Sequence, residues 1–150
     1  MRTFNLLRYS ELNRDTIFSI STNVSQFHKI MPNYFKSLEI IDVKNSEQIV
    51  LEKISFLGQT VDVKTKHVVL PPNIHKVQIL SGPLKGTSFI EYYEISEPGT
   101  EITICISLQI NGFLKLVPFF DRILAKKMNK VMSEFISCSE NYANTNRLSH

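Results

Sequence analysis

The chain has 150 residues, 43% of them hydrophobic and 21% charged, with a formal net charge of +3. That length suits one domain with a single sizeable core, and the composition excludes a disordered or fibrous protein. The excess positive charge is local, carried by Lys115, Arg122, Lys126, Lys127 and Lys130 against Asp121. No nucleic-acid partner is expected, because basic residues are not spread over a face with interleaved aromatics.

The opening segment Arg2 to Tyr9 is short, apolar and partly alternating, which predicts a strand. Ser10 or Asn13 can then cap a helix. From Asp15 to His28 the apolar residues recur at helical spacing with a break near Ser21 to Asn23, which predicts two short helices ended by Pro32. From Lys36 to Ile110 the period becomes two, with turn signals at Asn45-Ser46, Gly58, Pro71-Pro72-Asn73, Gly82 to Gly86 and Pro98-Gly99. That makes six further strands on short connections, hence an antiparallel meander, since parallel strands need long crossovers.

After Asn111-Gly112 the period is helical, with Leu116, Phe120, Ile123, Leu124, Met128, Val131, Met132, Phe135, Ile136 and Tyr142 on one wide apolar stripe. Residues 1–142 read as a single domain and Ala143 to His150 as a frayed tail. Cys105 and Cys138 lack a CxxC spacing and read as reduced thiols of a cytoplasmic protein. The N-terminal apolar run is too short for a signal peptide, and no stretch is long enough to span a bilayer.

The order is that of an α+β fold: a seven-stranded antiparallel curved sheet around a long C-terminal helix, with two short helices between strands 1 and 2. One helix is too narrow to fill the concave side of so wide a sheet, so a cavity between them is expected. The chain resembles the helix-grip superfamily of START lipid-transfer domains, polyketide cyclase and dehydrase proteins, coenzyme Q-binding proteins and pollen-allergen proteins. The resemblance rests on FSISTNVSQFHKIMPNYFKSLEIID, EKISF at residues 52–56, the hairpin EPGTEITICISLQI and the helix KKMNKVMSEFISCSENY. GFLKLVPFFDRIL and the methionine-rich helix look most similar to the coenzyme Q-binding and cyclase-like branches. Where the allergen branch has a glycine-rich loop, this chain reads Lys44-Asn45-Ser46-Glu47.

Parity then nominates the inward residues. Thr65 and His67 share a face with Val63, and His75 shares one with Val77 and Ile79. The Pro71-Pro72-Asn73 turn brings His67 and His75 together as near or diagonal neighbours. Ile90 and Tyr92 are expected inward on the sixth strand, because the other parity includes Glu91. On the third strand, Glu52 and Phe56 are inward if EKISF aligns as the resemblance implies. Ile104 and Ile106 from the last strand, and Leu116, Phe120, Leu124, Met128 and Val131 from the helix, complete the expected lining.

A mostly apolar cavity with a few polar groups suits a hydrophobic small molecule such as a lipid, isoprenoid, quinone or polyketide. His67, His75, Tyr92 and Glu52 are the candidates for orienting its carbonyl or hydroxyl, or for acid-base catalysis in a cyclase, dehydrase or hydrolase. No metal or other cofactor is expected. The GFLKLVPFF run at 113–120 reads either as a lid over the cavity mouth or as the buried start of the helix. The basic helix face reads either as a solvated surface or as a contact with an anionic membrane, and an interaction module is a third possibility. Oligomeric state is left open by the sequence.

Overall fold

A computed structural model describes residues 2–56 and 58–148. Strand β1 (Arg2–Ser10) leads to α1 (Arg14–Thr22), a 3-10 turn and the short α2 (Phe27–Ile30). Six strands come next: β2 (Phe35–Lys44), β3 (Glu47–Phe56), β4 (Gln59–Leu70), β5 (Ile74–Ile79), β6 (Ser88–Ser96) and β7 (Gly99–Leu108). A 3-10 segment at Gly112–Leu116 precedes the long α3 (Phe120–Leu148). Asn13 is the helix cap that forms, its Oδ1 accepting from the Thr16 amide at 2.9 Å.

All seven strands join one antiparallel sheet in the order β1-β7-β6-β5-β4-β3-β2. The first strand therefore pairs with the last, which leaves β1 and β2 as the two edges. Strand β7 has the clearest alternation, with Ile102, Ile104, Ile106 and Leu108 buried. They meet Leu124, Met128 and Ile136 of α3 and Phe18 and Tyr93 in one apolar cluster. A second cluster gathers Val24, Phe27, Ile30, Met31 and Val50, with Val131 and Phe135 of α3 against it.

Helix α3 runs parallel to β1 and is fastened to it along its length. Arg2 pairs with Asp121 at 2.9 Å, Arg8 Nε donates to Ser133 Oγ at 2.9 Å, and the Glu11 amide donates to Glu140 Oε2 at 3.1 Å. The two elements keep step because the strand path from Arg2 to Glu11, at about 3.3 Å per residue, and the helical path from Asp121 to Glu140, at about 1.5 Å per residue, cover nearly the same length.

Two boundaries differ from the sequence expectation. The helix begins at Phe120 and not just after Gly112, because Pro118 holds Val117 extended and Phe119 takes a left-handed backbone, φ 59°. It also continues to Leu148, past Tyr142, so the expected frayed tail is helical as far as it is described. Ser149 and His150, the end of that tail, lie outside the described residues.

Candidate functional site

Strand register assembles a chain of buried polar side chains across the middle of the sheet. On β4, Thr65 and His67 face inward; on β5, His75 does; on β3, Val50 and Glu52 do. Because His67 opposes Val77 and Val69 opposes His75, the two histidines are diagonal neighbours. His75 directly opposes Glu91 on β6.

The resulting contacts are continuous. Glu52 Oε1 lies 3.3 Å from His67 Nε2, which also meets Thr65 Oγ1 at 3.1 Å. His67 Nδ1 lies 3.0 Å from His75 Nε2, and His75 Nδ1 lies 2.6 Å from Glu91 Oε1. The Tyr93 hydroxyl donates to the same Glu91 oxygen at 3.1 Å. The imidazoles are stacked, 19° apart in plane, and the Phe27 ring stands edge-on to His67. Phe27 belongs to one apolar cluster and Tyr93 to the other, so the polar chain runs along the seam between them.

Proton counting constrains this chain. Each of the three links, Glu52–His67, His67–His75 and His75–Glu91, needs one proton to be a hydrogen bond. Four groups sharing three link protons carry one net negative charge, and removing any proton sets two acceptors face to face. Moving all three protons together transfers a proton from one glutamate to the other with no heavy-atom displacement. Burial raises the Tyr93 pKa well above its ordinary value, and the Glu91 charge raises it further. Burial, seconded by the Glu52 charge, does the same to Tyr34. Among the described residues, no group of three or more His, Cys, Asp or Glu is arranged to hold a metal ion. The donors here point at one another.

Of the expected site residues, Glu52, His67 and His75 converge, and Thr65 joins them. Val63, Val77, Ile79 and Phe56 share their inward faces, while Ile104, Ile106, Leu124 and Met128 sit in the apolar core. Val131 packs on the second cluster and Phe120 on the first. Ile90 and Tyr92 are corrected: β6 turns Phe89, Glu91 and Tyr93 inward, because Glu91 finds His75 and Tyr93 there. Leu116 is corrected too, standing outside the core at 83% exposure. Glu91 and Tyr93 were missed, although Phe89 and Tyr93 on alternate positions gave the signal.

The expected wide cavity also needs correction. His67 and His75 are 3% and 2% exposed and Leu124 is 0%, so side chains of the two clusters occupy the space under the sheet there. Open volume adjoins the core at one end, in a cleft of about 310 Å³ whose wall mixes Leu108, Ile110, Leu114, Val117 and Phe120 with Arg2, Gln109, Lys115 and Asp121. The Arg2–Asp121 ion pair stands at its rim, and Arg2 holds the Asp121 carboxyl below its ordinary pKa. A polar cleft of about 320 Å³ between Asn13, Pro98 and Glu140 lies at the other end.

Solved structures with this architecture include the Zhui aromatase/cyclase from Streptomyces sp. R1128, with a TM-score of 0.80, 12% identity, and 95% of this chain and 93% of that one covered. A START superfamily protein from Mycobacterium smegmatis superposes with a TM-score of 0.77 at 12% identity over 95% of this chain and 97% of that one. Ara h 8.0201 gives 0.76 at 18% identity over 96% of this chain and 98% of that one. This chain has the START-like helix-grip fold. No family model matches the sequence, and no curated protein matches it significantly. The START-like fold is thus shared with these proteins in shape at very low identity. No helix among the described residues is long and apolar enough to cross a membrane.

Proposed function

We propose that this START-like protein binds a hydrophobic small molecule, of the lipid, isoprenoid, quinone or polyketide kind, that enters at the cleft beside the start of α3. The observation that carries this reading is the continuity of the cleft with the apolar core. Leu108 and Phe120 line it and also belong to or pack on the main core cluster that contains Met128, so the cleft wall is continuous with the apolar interior. A volume of about 310 Å³ is at the small end for such sites. The similarity in fold to a START superfamily protein and to an aromatase/cyclase supports the same class of guest. Two unpaired cysteines accord with a reducing compartment such as the cytoplasm.

The test is native mass spectrometry of the purified protein, followed by thermal unfolding with prenyl quinones, fatty acids and aromatic polyketides. A ligand present at 100 times its Kd stabilises the fold by about 2.7 kcal/mol. A melting temperature unmoved by every class, with no adduct retained, overturns the reading.

The buried Glu52–His67–His75–Glu91 chain favours a second reading, an enzyme of the cyclase, dehydrase or hydrolase kind. Positioned acid-base groups accelerate such steps by about 100- to 10,000-fold. Turnover unchanged in both His67→Ala and His75→Ala would remove it.

A further inference from the structure

We propose that residues 113–123 dock this protein on an anionic lipid surface, with Phe113, Leu116 and Phe119 entering the bilayer interface. Phe113 is 75% exposed, Leu116 83% and Phe119 66%, and Val117 and Ile123 are exposed beside them. Scattered exposed apolar residues are ordinary, whereas five large ones within eleven residues form a patch that calls for a partner. The backbone holds the patch outward. Phe119, a bulky residue, adopts a left-handed conformation at φ 59°, a strained geometry that places its ring in solvent.

Charge selects the occupant. Lys115, Arg122 and Lys126 are exposed among these apolar groups, and Arg122 lies over the Phe119 ring, 5.3 Å from its centroid. Arg122, Ile123 and Lys126 fall at helical spacing on one exposed face at the start of α3, and the Arg122 contact places the Phe119 ring beside them. The one acidic residue here, Asp121, is tied to Arg2. Protruding rings and aliphatic side chains interleaved with basic groups match a headgroup–acyl boundary, which demands no shape complement, and each basic group strengthens attachment to an anionic surface. The cleft opens within the same segment, between Leu114, Val117 and Phe120, so the docked protein faces its mouth toward the lipid. Asn111 anchors the segment, donating to the Lys85 carbonyl at 2.9 Å.

The test is flotation of ligand-free protein with phosphatidylcholine vesicles with and without phosphatidylserine, which makes it independent of the cleft's occupant. Wild type is expected to float with the phosphatidylserine vesicles and to be released by high salt. The triple variant F113S/L116S/F119S is expected to bind at least about tenfold more weakly, and R122E/K126E to lose its preference for phosphatidylserine, both with melting temperatures close to wild type. Leu116→Ser alone, at the most exposed position, keeps the test valid if the triple variant unfolds. The proposal is overturned if wild type floats with neither vesicle, if it floats equally with both, or if the apolar variants float as well as wild type. Self-association of wild type in sedimentation velocity, abolished in Leu116→Ser without vesicle binding, assigns the patch to a second copy and overturns it too.

Discussion

His67 Nδ1 and His75 Nε2 are 3.0 Å apart inside the protein, so one proton serves two rings that both also face a glutamate. Replacing His75 by Ala leaves His67 Nδ1 without its partner and Glu91 with only the Tyr93 hydroxyl, and is expected to cost about 3 kcal/mol. Because the links are consecutive, the double variant His67→Ala/His75→Ala should cost at least about 1 kcal/mol less than the two single losses added together. Denaturant unfolding of the three variants measures this, and strict additivity would show that the links do not act as a chain.

Tyr93 and Tyr34 both have raised pKa values in the folded state, first through burial and then through Glu91 and Glu52 respectively. The folded protein therefore retains phenolic protons that the unfolded chain releases near pH 10. The stabilisation is fully present below that pH and is lost as pH rises through the folded values, at about 1.4 kcal/mol per pH unit for each tyrosine. Tyr93→Phe and Tyr34→Phe should each flatten the alkaline limb of a stability–pH curve. An unchanged slope in both variants would refute the assignment.

Gly99 opens β7, and a Cβ built on it would collide with the Ser10 carbonyl oxygen and the Tyr9 ring on β1. Backbone cannot yield as a flexible side chain does. Gly99→Ala is expected to destabilise by about 1–3 kcal/mol, and amide exchange should show β1 loosening before the other strands. Uniform exchange across the sheet would place the cost elsewhere.

Leu124 is fully buried where α3 meets β7. Leu124→Ala should cost about 2–5 kcal/mol, depending on how far the neighbouring methionines collapse into the space. If the cleft accepts an apolar guest, the same variant should bind a small hydrophobic probe more tightly than wild type, a comparison that calorimetry makes directly. Weaker binding by a variant that retains the fold would separate this part of the core from the guest.

The meander, the two short helices and the inward faces of β4 and β5 could be read from period and turn residues, because there the apolar parity and the burial agree; on β3 Ile49 and Leu51 blur the alternation, and its inward face followed only from the resemblance. Strand β6 could not. Charge is normally a sign of the outer face, yet Glu91 is turned inward by His75 and Tyr93, partners that lie 16 residues earlier and two residues later. Hydropathy likewise assigns Leu116 and Phe119 to the interior, whereas Pro118 interrupts the helix and leaves both in solvent. The interior volume was least legible, since it depends on how the large side chains of α1, α2 and α3 interdigitate.

The fastening of β1 to α3 joins residues 119 to 129 positions apart, and among the described residues β1 has β7 as its only strand neighbour. During synthesis the first strand must therefore wait, unpaired, until β7, which ends at Leu108, has left the ribosome. Until then its apolar face is open to chaperones or to another nascent chain, so this long-range pairing is a point at which misassembly competes with folding.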